Sequence, residues 1–376
     1  MSKRALTGAE IFDGKDLQSG KALLLDGDLV AGIVAAEAIP ADYTVETMRD
    51  GTILPGFVDL QVNGGGGVMF NDETTVEGLA AIAEAHASTG TRAFMPTLIT
   101  DTAKRTRTAV DAVEAAIAQS VPGIVGVHLE GPHLSVARKG AHDPTLIRRM
   151  EPNDEAFLID AAGRLPNVMV TVAPENVTSD QIRRLSDAGI VVSLGHTDCS
   201  MAQAQKAFDA GARCVTHLFN AMSQMGNREP GLVGATLASG GVFAGLIADD
   251  IHVHAASMGI ALAAKSGPGA IFLVTDAMST VGSDITAFEL NGRTVLRKDG
   301  RLTLEDGTLA GADLEMARAI SVLINRVGVT RETAYAMATS APAAVLKQPG
   351  AFGFFTPSAS ANAIWIDTDH QSVRGL

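Results

Sequence analysis

Two apolar stretches, IVVSLGH at residues 190–196 and CVTHLFNAM at residues 214–222, decide how this chain folds. Each predicts a short β-strand that ends near a histidine, and SMAQAQKAFDAGA (200–212) between them predicts an amphipathic helix with Ser200 as its N-cap. A strand, a helix and a second strand of these lengths form a right-handed crossover, so the two strands run parallel and end at the same edge. His196 and His217 are therefore expected side by side, as a divalent metal site requires.

The same alternation of short apolar runs and helical segments extends on both sides of this unit. We count eight runs: FVDLQV (57–62), TRAFMPT (91–97), GIVGVHLE (123–130), VMVTVAPE (168–175), IVVSLGH, CVTHLF (214–219), VFAGLIADD (242–250) and AIFLVTDA (270–277). Eight strands joined by helical crossovers predict an α/β fold of the (β/α)8 TIM-barrel type, with a doubly wound sheet as the alternative.

The two ends of the chain have a different pattern. Residues 1–54 show short apolar runs separated by DG pairs, which predict a β-rich segment, and NAIWID (362–367) predicts a strand that rejoins it. We therefore expect one small domain made of residues 1–54 and 347–376, around a barrel of residues 55–346. The NG and DG turns within residues 285–311 predict hairpins inserted after the eighth strand.

Composition restricts the partners of this protein. The 376 residues are 46% hydrophobic and carry a formal net charge of -13 without a basic run, which disfavours nucleic acid and anionic membranes. The first residues lack a signal-peptide pattern and no stretch is apolar enough to span a membrane, so the cytoplasm is the expected location. The two cysteines, Cys199 and Cys214, do not predict a disulfide framework.

Residues at the carboxyl ends of the eight runs should face one cavity. Three of them, Glu130, His196 and His217, would supply one oxygen and two nitrogen ligands and leave a coordination position open, as catalytic metal sites do. A single such residue is more often a structural hydrogen-bonding group, so the prediction rests on the set. Asp276 suits a general base, with helix or turn capping as the alternative. The full set is Gln61, Asn63, Glu130, Glu175, His196, His217, Asp249 and Asp276.

Loops add a second group of candidates. KGAHDP (139–144) places His142 after the third strand, where it can approach the cavity. Arg228 and His252, with backbone N–H groups around Asn220 and Ala221, would form a local anion site in an otherwise acidic protein. Each of these residues taken alone is more commonly a solvated surface residue.

Many short motifs follow one another in the order of a known family. They are PGFVDLQVNGGGG, PTLIT, HLEGPHL, KGAHDP, SLGHTD, THLFNAM, REPG, GLIADDIHV and LVTDA, and the match runs in register from about residue 51 to 312. This series resembles the N-acetylglucosamine-6-phosphate deacetylases of the amidohydrolase superfamily. The resemblance implies a (β/α)8 barrel with a small β-sandwich built from both chain ends, usually a homodimer. It also implies hydrolysis of the N-acetyl group of an amino sugar phosphate.

Carried over motif by motif, the resemblance also implies a role for each candidate residue. The metal ligands fall on Glu130, His196 and His217, and the acid/base aspartate falls on Asp276. The histidine that polarises the carbonyl falls on His142. The phosphate contacts fall on Asn220, Ala221, Arg228 and His252, some of which could cross the dimer interface.

This chain also departs from the superfamily pattern. Gln61-Val62-Asn63 stands where many amidohydrolases have His-x-His and a second metal, so one divalent ion per chain is expected. Zn is the first expectation for this ion, with Fe, Co and Mn as alternatives. The segment KQPGAFGFFTPSASANAIWID (347–367) keeps only a loose likeness to the family's closing segment.

Three other functions remain open from the sequence. One is deacetylation of another N-acylated amino sugar phosphate. Another is a cyclic-amide hydrolase or deaminase activity on the same fold. The third is a sugar-phosphate binding protein without catalysis, which the presence of Asp276 beside the full ligand set disfavours.

Overall fold

The computed structural model describes residues 2–376 and contains a closed barrel of eight parallel strands. Neighbouring strands follow chain order, and hydrogen bonds from Asp276 N to Gln61 O (3.0 Å) and from Asn63 N to Ala277 O (2.8 Å) join the last strand to the first. The predicted (β/α)8 barrel is confirmed, because a doubly wound sheet would keep two open edges. The strands are β1 (Phe57–Val62), β2 (Thr91–Ile99), β3 (Val127–Glu130), β4 (Val168–Val172), β5 (Val191–Leu194), β6 (Cys214–Val215), β7 (Phe243–Leu246) and β8 (Ile271–Leu273).

Ten helices surround the barrel or follow it. The helix between β5 and β6 starts at the predicted N-cap, where the Ser200 hydroxyl accepts from Gln203 N (3.3 Å) and the Gln203 side chain accepts from Ser200 N (2.9 Å). No helix within residues 2–376 has the length and apolar character needed to cross a membrane. The helices are α1 (Val76–Ser88), α2 (Ala103–Ala118), α3 (Pro152–Arg164), α4 (Ser179–Asp187), α5 (Met201–Asp209), α6 (Gly231–Ala238), α7 (Ala255–Ala264), α8 (Met316–Val322), α9 (Arg331–Ala338) and α10 (Ser340–Ala343).

Both chain ends contribute to a small β-sandwich. Its first sheet contains four strands: Lys3–Thr7, Lys21–Asp26, Leu29–Ala35 and Thr44–Thr47. Its second sheet contains five strands: Glu10–Phe12, Leu17–Gln18, Thr52–Pro55, Ala363–Ile366 and Val373–Gly375. Side chains such as Leu6, Leu23 and Ile53 form a common core between the two sheets. The second sheet holds both chain ends together, since Ala363–Ile366 pairs antiparallel with Thr52–Pro55.

A three-stranded antiparallel insert follows β8, as the NG and DG pairs predict. Its strands are Ala287–Leu290, Arg293–Lys298 and Arg301–Thr303. The Asn291-Gly292 and Asp299-Gly300 turns have positive φ at both residues, the geometry of two-residue hairpin loops. Buried Leu290, Val295 and Leu302 of the insert pack with Met69, Ile99 and Met278 at the mouth of the barrel.

Candidate active site

A cavity of about 380 Å³ lies at the carboxyl end of the barrel strands, where the chemistry of this fold is found. Its lining includes eight of the nine residues to which the resemblance assigns a role: Glu130, His142, His196, His217, Asn220, Ala221, His252 and Asp276. The ninth, Arg228, lies on an exposed stretch of the loop after β6 and is not part of the lining.

Three side chains converge at the centre of this cavity. Glu130 Oε1 lies 3.1 Å from His196 Nε2 and 3.1 Å from His217 Nε2, and the two Nε2 atoms are 3.1 Å apart. All three residues are buried. Burial alone would raise the pKa of Glu130, but the neighbouring imidazoles of His196 and His217 hold this pKa well below the ordinary value. The Glu130 carboxylate is therefore an anionic oxygen donor beside two imidazoles.

The donor atoms of this group fit a divalent cation. His196 Nδ1 donates to Arg138 O (2.8 Å), so in a neutral ring the Nε2 lone pair faces the centre. Ligands about 2.0 to 2.1 Å from a tetrahedral ion lie roughly 3.3 Å apart, close to the separations found here. An overlapping set of Glu130, His142 and His196 also has its ligand atoms within 4.8 Å of one another. His217 Nδ1 is buried without a hydrogen-bond partner in the described residues.

Two carboxamides hold one oxygen of the Asp276 carboxylate. Asn63 Nδ2 donates to Asp276 Oδ1 at 2.7 Å and Gln61 Nε2 donates to the same atom at 3.1 Å. Gln61 Nε2 also lies 3.4 Å from both Glu130 carboxylate oxygens and bridges the two acids. Burial, with a contribution from the Glu130 charge, raises the pKa of Asp276 to about 6. Since both donors contact Oδ1, Oδ2 is left to exchange protons with a reactant.

His142 presents a neutral imidazole to the cavity. Burial, reinforced by His196, lowers the pKa of His142 to about 3. His142 Nδ1 is hydrogen-bonded to Thr100, whose hydroxyl oxygen lies at 2.8 Å and whose backbone nitrogen lies at 3.3 Å. The His142 and His196 rings meet edge to face with centroids 4.4 Å apart. Its side chain is therefore held beside the ligand group and on the cavity wall.

The residues selected as an anion site lie on one side of the cavity, after β6 and β7. His252 Nδ1 contacts Asp249 Oδ2 at 2.6 Å, and Asp249 Oδ1 accepts from the backbone N–H of His252 (2.7 Å) and Ile251 (2.9 Å). Asp249 thus fixes the orientation of the His252 ring. Asn220 and Ala221 follow His217 in the loop after β6, and both line the cavity.

Three strand-end residues that the sequence placed in the cavity, Gln61, Glu175 and Asp249, are not part of its lining, although Gln61 still contacts Asp276 and Glu130. Glu175 accepts from the Thr197 hydroxyl (2.5 Å) and from Asp198 N (2.7 Å), and so stabilises the loop after β5. Asp249 is turned toward its own loop and His252. The physical reason is similar for both, because each carboxylate is held by hydrogen bonds to loop groups, Glu175 by the loop after β5 and Asp249 by its own loop after β7.

Several features of the site were not predicted from the sequence. Gln61 and Asn63 were expected at the cavity, but their hydrogen bonds to Asp276 were not predicted, and Thr100 was not selected. The wall formed by the insert and its following loop was also not predicted; it consists of Leu290, Thr308, Leu309 and Gly311. The hairpin turns after β8 were the available signal, since an insert at the carboxyl face of a barrel commonly covers the active site.

Comparisons with known proteins agree with this geometry. The amidohydrolase family model matches residues 52–374. An N-acetylgalactosamine-6-phosphate deacetylase of Shewanella sp. is 39% identical, over 97% of this chain and 92% of that protein. An N-acetylglucosamine-6-phosphate deacetylase of Haemophilus influenzae is 30% identical, over 99% of this chain and 97% of that protein. The crystal structure of the N-acetylglucosamine-6-phosphate deacetylase of Pasteurella multocida superposes with a TM-score of 0.93 at 33% identity, over the full length of both chains.

Proposed function

This chain belongs to the amidohydrolase family, and we propose that it hydrolyses the acetamido group of N-acetylglucosamine 6-phosphate to glucosamine 6-phosphate and acetate. The observation that carries this proposal is the convergence of Glu130, His196 and His217, with 3.1 Å between their ligand atoms, beside Asp276 in one cavity. A binding protein without catalysis would have no use for a buried carboxylate held next to a cation site. The relatives named above act on the same class of substrate.

One divalent cation per chain, with Zn as the first candidate, is assigned to Glu130, His196 and His217. The bound ion would polarise the substrate carbonyl and lower the pKa of a water molecule. Gln61 and Asn63 direct their amide N–H groups toward Asp276 and offer no imidazole for a second ion, which supports a single ion.

Asp276 is assigned as the group that accepts a proton from the attacking water and returns it to the leaving amine. Its Oδ1 is held by two amide donors, so Oδ2 is the atom that exchanges the proton. Protonation of the nitrogen is required because an amide nitrogen leaves only as a neutral amine. His142 donates a hydrogen bond to the carbonyl oxygen, on which negative charge develops during attack.

Asn220, Ala221, Arg228 and His252 are assigned to the 6-phosphate. Three of them line the cavity of one chain, whereas Arg228 projects from an exposed loop outside it. This placement supports a homodimer in which Arg228 of the partner subunit completes the anion site. An arginine would form a charge-assisted contact with the phosphate in a protein of formal net charge -13.

Two further features stay predictions. The domain boundaries at residues 54 and 346 can be tested by expressing residues 55–346 alone, which should leave apolar surface of the barrel exposed. The cytoplasmic location can be tested by fractionation of cells that express the protein.

A substrate panel tests the proposed reaction. Purified protein is incubated with N-acetylglucosamine 6-phosphate, and acetate and primary amine are measured together with metal content. We expect equimolar acetate and amine, one tightly bound divalent ion per chain, and much slower turnover of unphosphorylated N-acetylglucosamine. Release of ammonia, or turnover of a cyclic amide in preference to the acetamido sugar, would assign the protein to another amidohydrolase activity.

The galacto epimer is a second candidate substrate. The Shewanella relative, 39% identical to this chain, is an N-acetylgalactosamine-6-phosphate deacetylase. The two sugars differ only in configuration at C4, so the same groups can bind the acetamido group and the phosphate of both. The ratio of kcat/KM values for the two epimers, measured with one enzyme preparation, identifies the preferred substrate.

A further inference from the structure

Two neighbouring histidines of the active site have backbone partners of opposite kind. His196 Nδ1 lies 2.8 Å from Arg138 O, a carbonyl oxygen that can only accept a hydrogen bond. His142 Nδ1 lies 3.3 Å from Thr100 N, a backbone N–H that can only donate. The two rings are in edge-to-face contact and therefore share one part of the site. They differ in the backbone group that each Nδ1 faces.

The donor on Thr100 decides which nitrogen of His142 carries hydrogen. A hydrogen on His142 Nδ1 would point at the hydrogen of Thr100 N, so Nδ1 must be the acceptor. The Thr100 hydroxyl, 2.8 Å from the same nitrogen, then donates to it as well. The ring hydrogen consequently resides on Nε2. In His196, the carbonyl of Arg138 requires the hydrogen on Nδ1 and leaves Nε2 with a free lone pair.

We propose that Thr100 is a positioning residue whose contact with His142 Nδ1 holds the ring in the Nε2–H tautomer. This tautomer makes His142 a hydrogen-bond donor to substrate and excludes it from the metal ligands. The inference rests on the proposed function. It also separates the two overlapping ligand sets, because a metal-bound Nε2 carries no hydrogen. His217 is then the third ligand beside Glu130 and His196.

Thr100 is suited to this role by its place in the fold. It directly follows the last residue of β2 and is 1% exposed, so its backbone N–H cannot turn to water without moving the barrel edge. Its hydroxyl also lies 3.4 Å from Glu130 O, the backbone carbonyl at the end of β3. The single hydroxyl hydrogen goes to His142 Nδ1, the shorter of the two contacts, so Glu130 O is a close neighbour and not a hydrogen-bond partner in this arrangement.

The tautomer can be read directly by nitrogen NMR. In Zn-loaded protein with ¹⁵N-labelled histidine rings, the signals of His142 are assigned by their loss in His142→Gln. We expect Nδ1 of His142 to give an acceptor-type shift and Nε2 a protonated one, while His196 shows a protonated Nδ1. A protonated Nδ1 in His142 would overturn the proposal whether or not the protein releases acetate, so this test is independent of the proposed reaction.

Three variants test the contribution of the Thr100 side chain. Thr100→Val removes the hydroxyl at nearly constant volume, and we expect kcat to fall about tenfold or more with KM and metal content unchanged, since the lost contact supports a transition-state donor. Thr100→Ser restores the hydroxyl and should return kcat to within about threefold of the parent. Thr236→Val, which removes another buried hydroxyl (2.7 Å from Leu232 O) that is not part of the cavity lining, is the matched control.

The outcomes of these variants are distinct. The proposal is supported if Thr100→Val loses kcat selectively and Thr100→Ser restores it. The nitrogen NMR signal of His142 Nδ1 should also change in Thr100→Val, in its chemical shift or its exchange. Equal kcat values for Thr100→Val and Thr236→Val, with unchanged His142 signals, would show that the Thr100 hydroxyl does not position the ring. Failure of the parent to release acetate would reject the reaction and leave the NMR result valid.

Discussion

His196, His217 and Asp276 share a backbone conformation that residues with a Cβ rarely adopt. Their φ angles are +47°, +30° and +51°, in or near the left-handed region. Such a conformation costs about 1 to 3 kcal/mol and persists only where surrounding contacts require it. All three residues lie at the ends of barrel strands, where the chain turns sharply so that their side chains face the cavity. We infer that these three positions lower the stability of the fold and, by the same backbone conformation, direct functional side chains into the cavity.

Asp276→Asn is the most direct test at the residue scale. The amide keeps the shape of the side chain but cannot carry a proton between water and the leaving nitrogen. We expect kcat to fall by about 10²- to 10⁴-fold, the range of general acid–base catalysis. Calorimetry should show nearly unchanged substrate affinity and elemental analysis an unchanged metal content. A kcat within about threefold of the parent, or loss of the metal, would remove Asp276 from this role.

His86 provides a pH prediction away from the metal group. It is 1% exposed, its Nε2 contacts Gly64 O at 2.9 Å, and burial lowers its pKa to about 4. The unfolded chain therefore binds a proton near pH 6.5 that the folded chain binds only near pH 4. Stability contributed by the neutral ring is complete above pH 6.5 and is lost as the pH falls through this window.

The magnitude of this effect follows from the width of the window. Between pH 6.5 and 5 one such histidine lowers the free energy of unfolding by about 2 kcal/mol. In urea unfolding, the free energy of unfolding should fall between pH 7.5 and pH 5. We expect this fall to be smaller in His86→Met than in the parent by about the same amount. An identical loss in parent and variant would mean that His86 does not remain neutral in the folded protein.

At the scale of elements, the insert after β8 is a separately packed unit. Its small core of Leu290, Val295 and Leu302 closes against the barrel mouth, and Arg293 donates to Ala141 O next to His142. Leu290 also lines the active-site cavity. The insert therefore has two functions, because it forms one wall of the substrate site and supports the loop that carries His142.

Leu302→Ala tests whether the insert opens independently of the barrel. Leu302 is fully buried, and such a truncation typically costs about 2 to 5 kcal/mol. Because the affected core is small, we expect the loss of stability to be confined to the insert. It should appear as faster amide exchange in residues 285–311 and a raised KM, with little change in the free energy of global unfolding. Leu296→Ala, on the same insert but 48% exposed, is the matched control and should behave like the parent. A parallel loss of barrel stability in Leu302→Ala would contradict independent opening.

At the scale of the whole molecule, the position of Arg228 outside the cavity leads to a prediction about subunits. If the partner's Arg228 contacts the phosphate, Arg228→Met should lower kcat/KM for the phosphorylated sugar about ten- to a hundredfold, as the loss of a charge-assisted contact does. Activity on the unphosphorylated sugar should barely change. Equal losses on both substrates would indicate a role for Arg228 in folding or assembly.

Mixed dimers make this test sharper. When Arg228→Met and Asp276→Asn subunits are combined and allowed to exchange, a hybrid dimer has one site with both defects and one site with neither. We expect the mixture to recover part of the parent activity, although each variant alone is poor. Absence of recovery in dimers shown to have exchanged would place Arg228 in the site of its own chain or outside the reaction.

The sequence pattern alone was sufficient to predict the barrel, the family and the strand ends that carry the candidate ligands. Periodicity is a local property, and parallel strands bring their carboxyl ends to one edge whatever the loops do, so Glu130, His196, His217 and Asp276 could be selected together. The loop sequences indicated His142 and the anion-site residues, and the resemblance then assigned each of them a role. Their roles remain predictions that the experiments above test.

Only the tertiary structure decided which atom each of these side chains faces. Thr100 N beside His142, Arg138 O beside His196, and the two amides on Asp276 Oδ1 are contacts between residues 42 to 215 positions apart. They depend on where each strand ends and how its loop turns, as the departures of Glu175 and Asp249 from the cavity show. A residue type states what a side chain can donate or accept, and only the folded chain places the partner that determines which of the two it does.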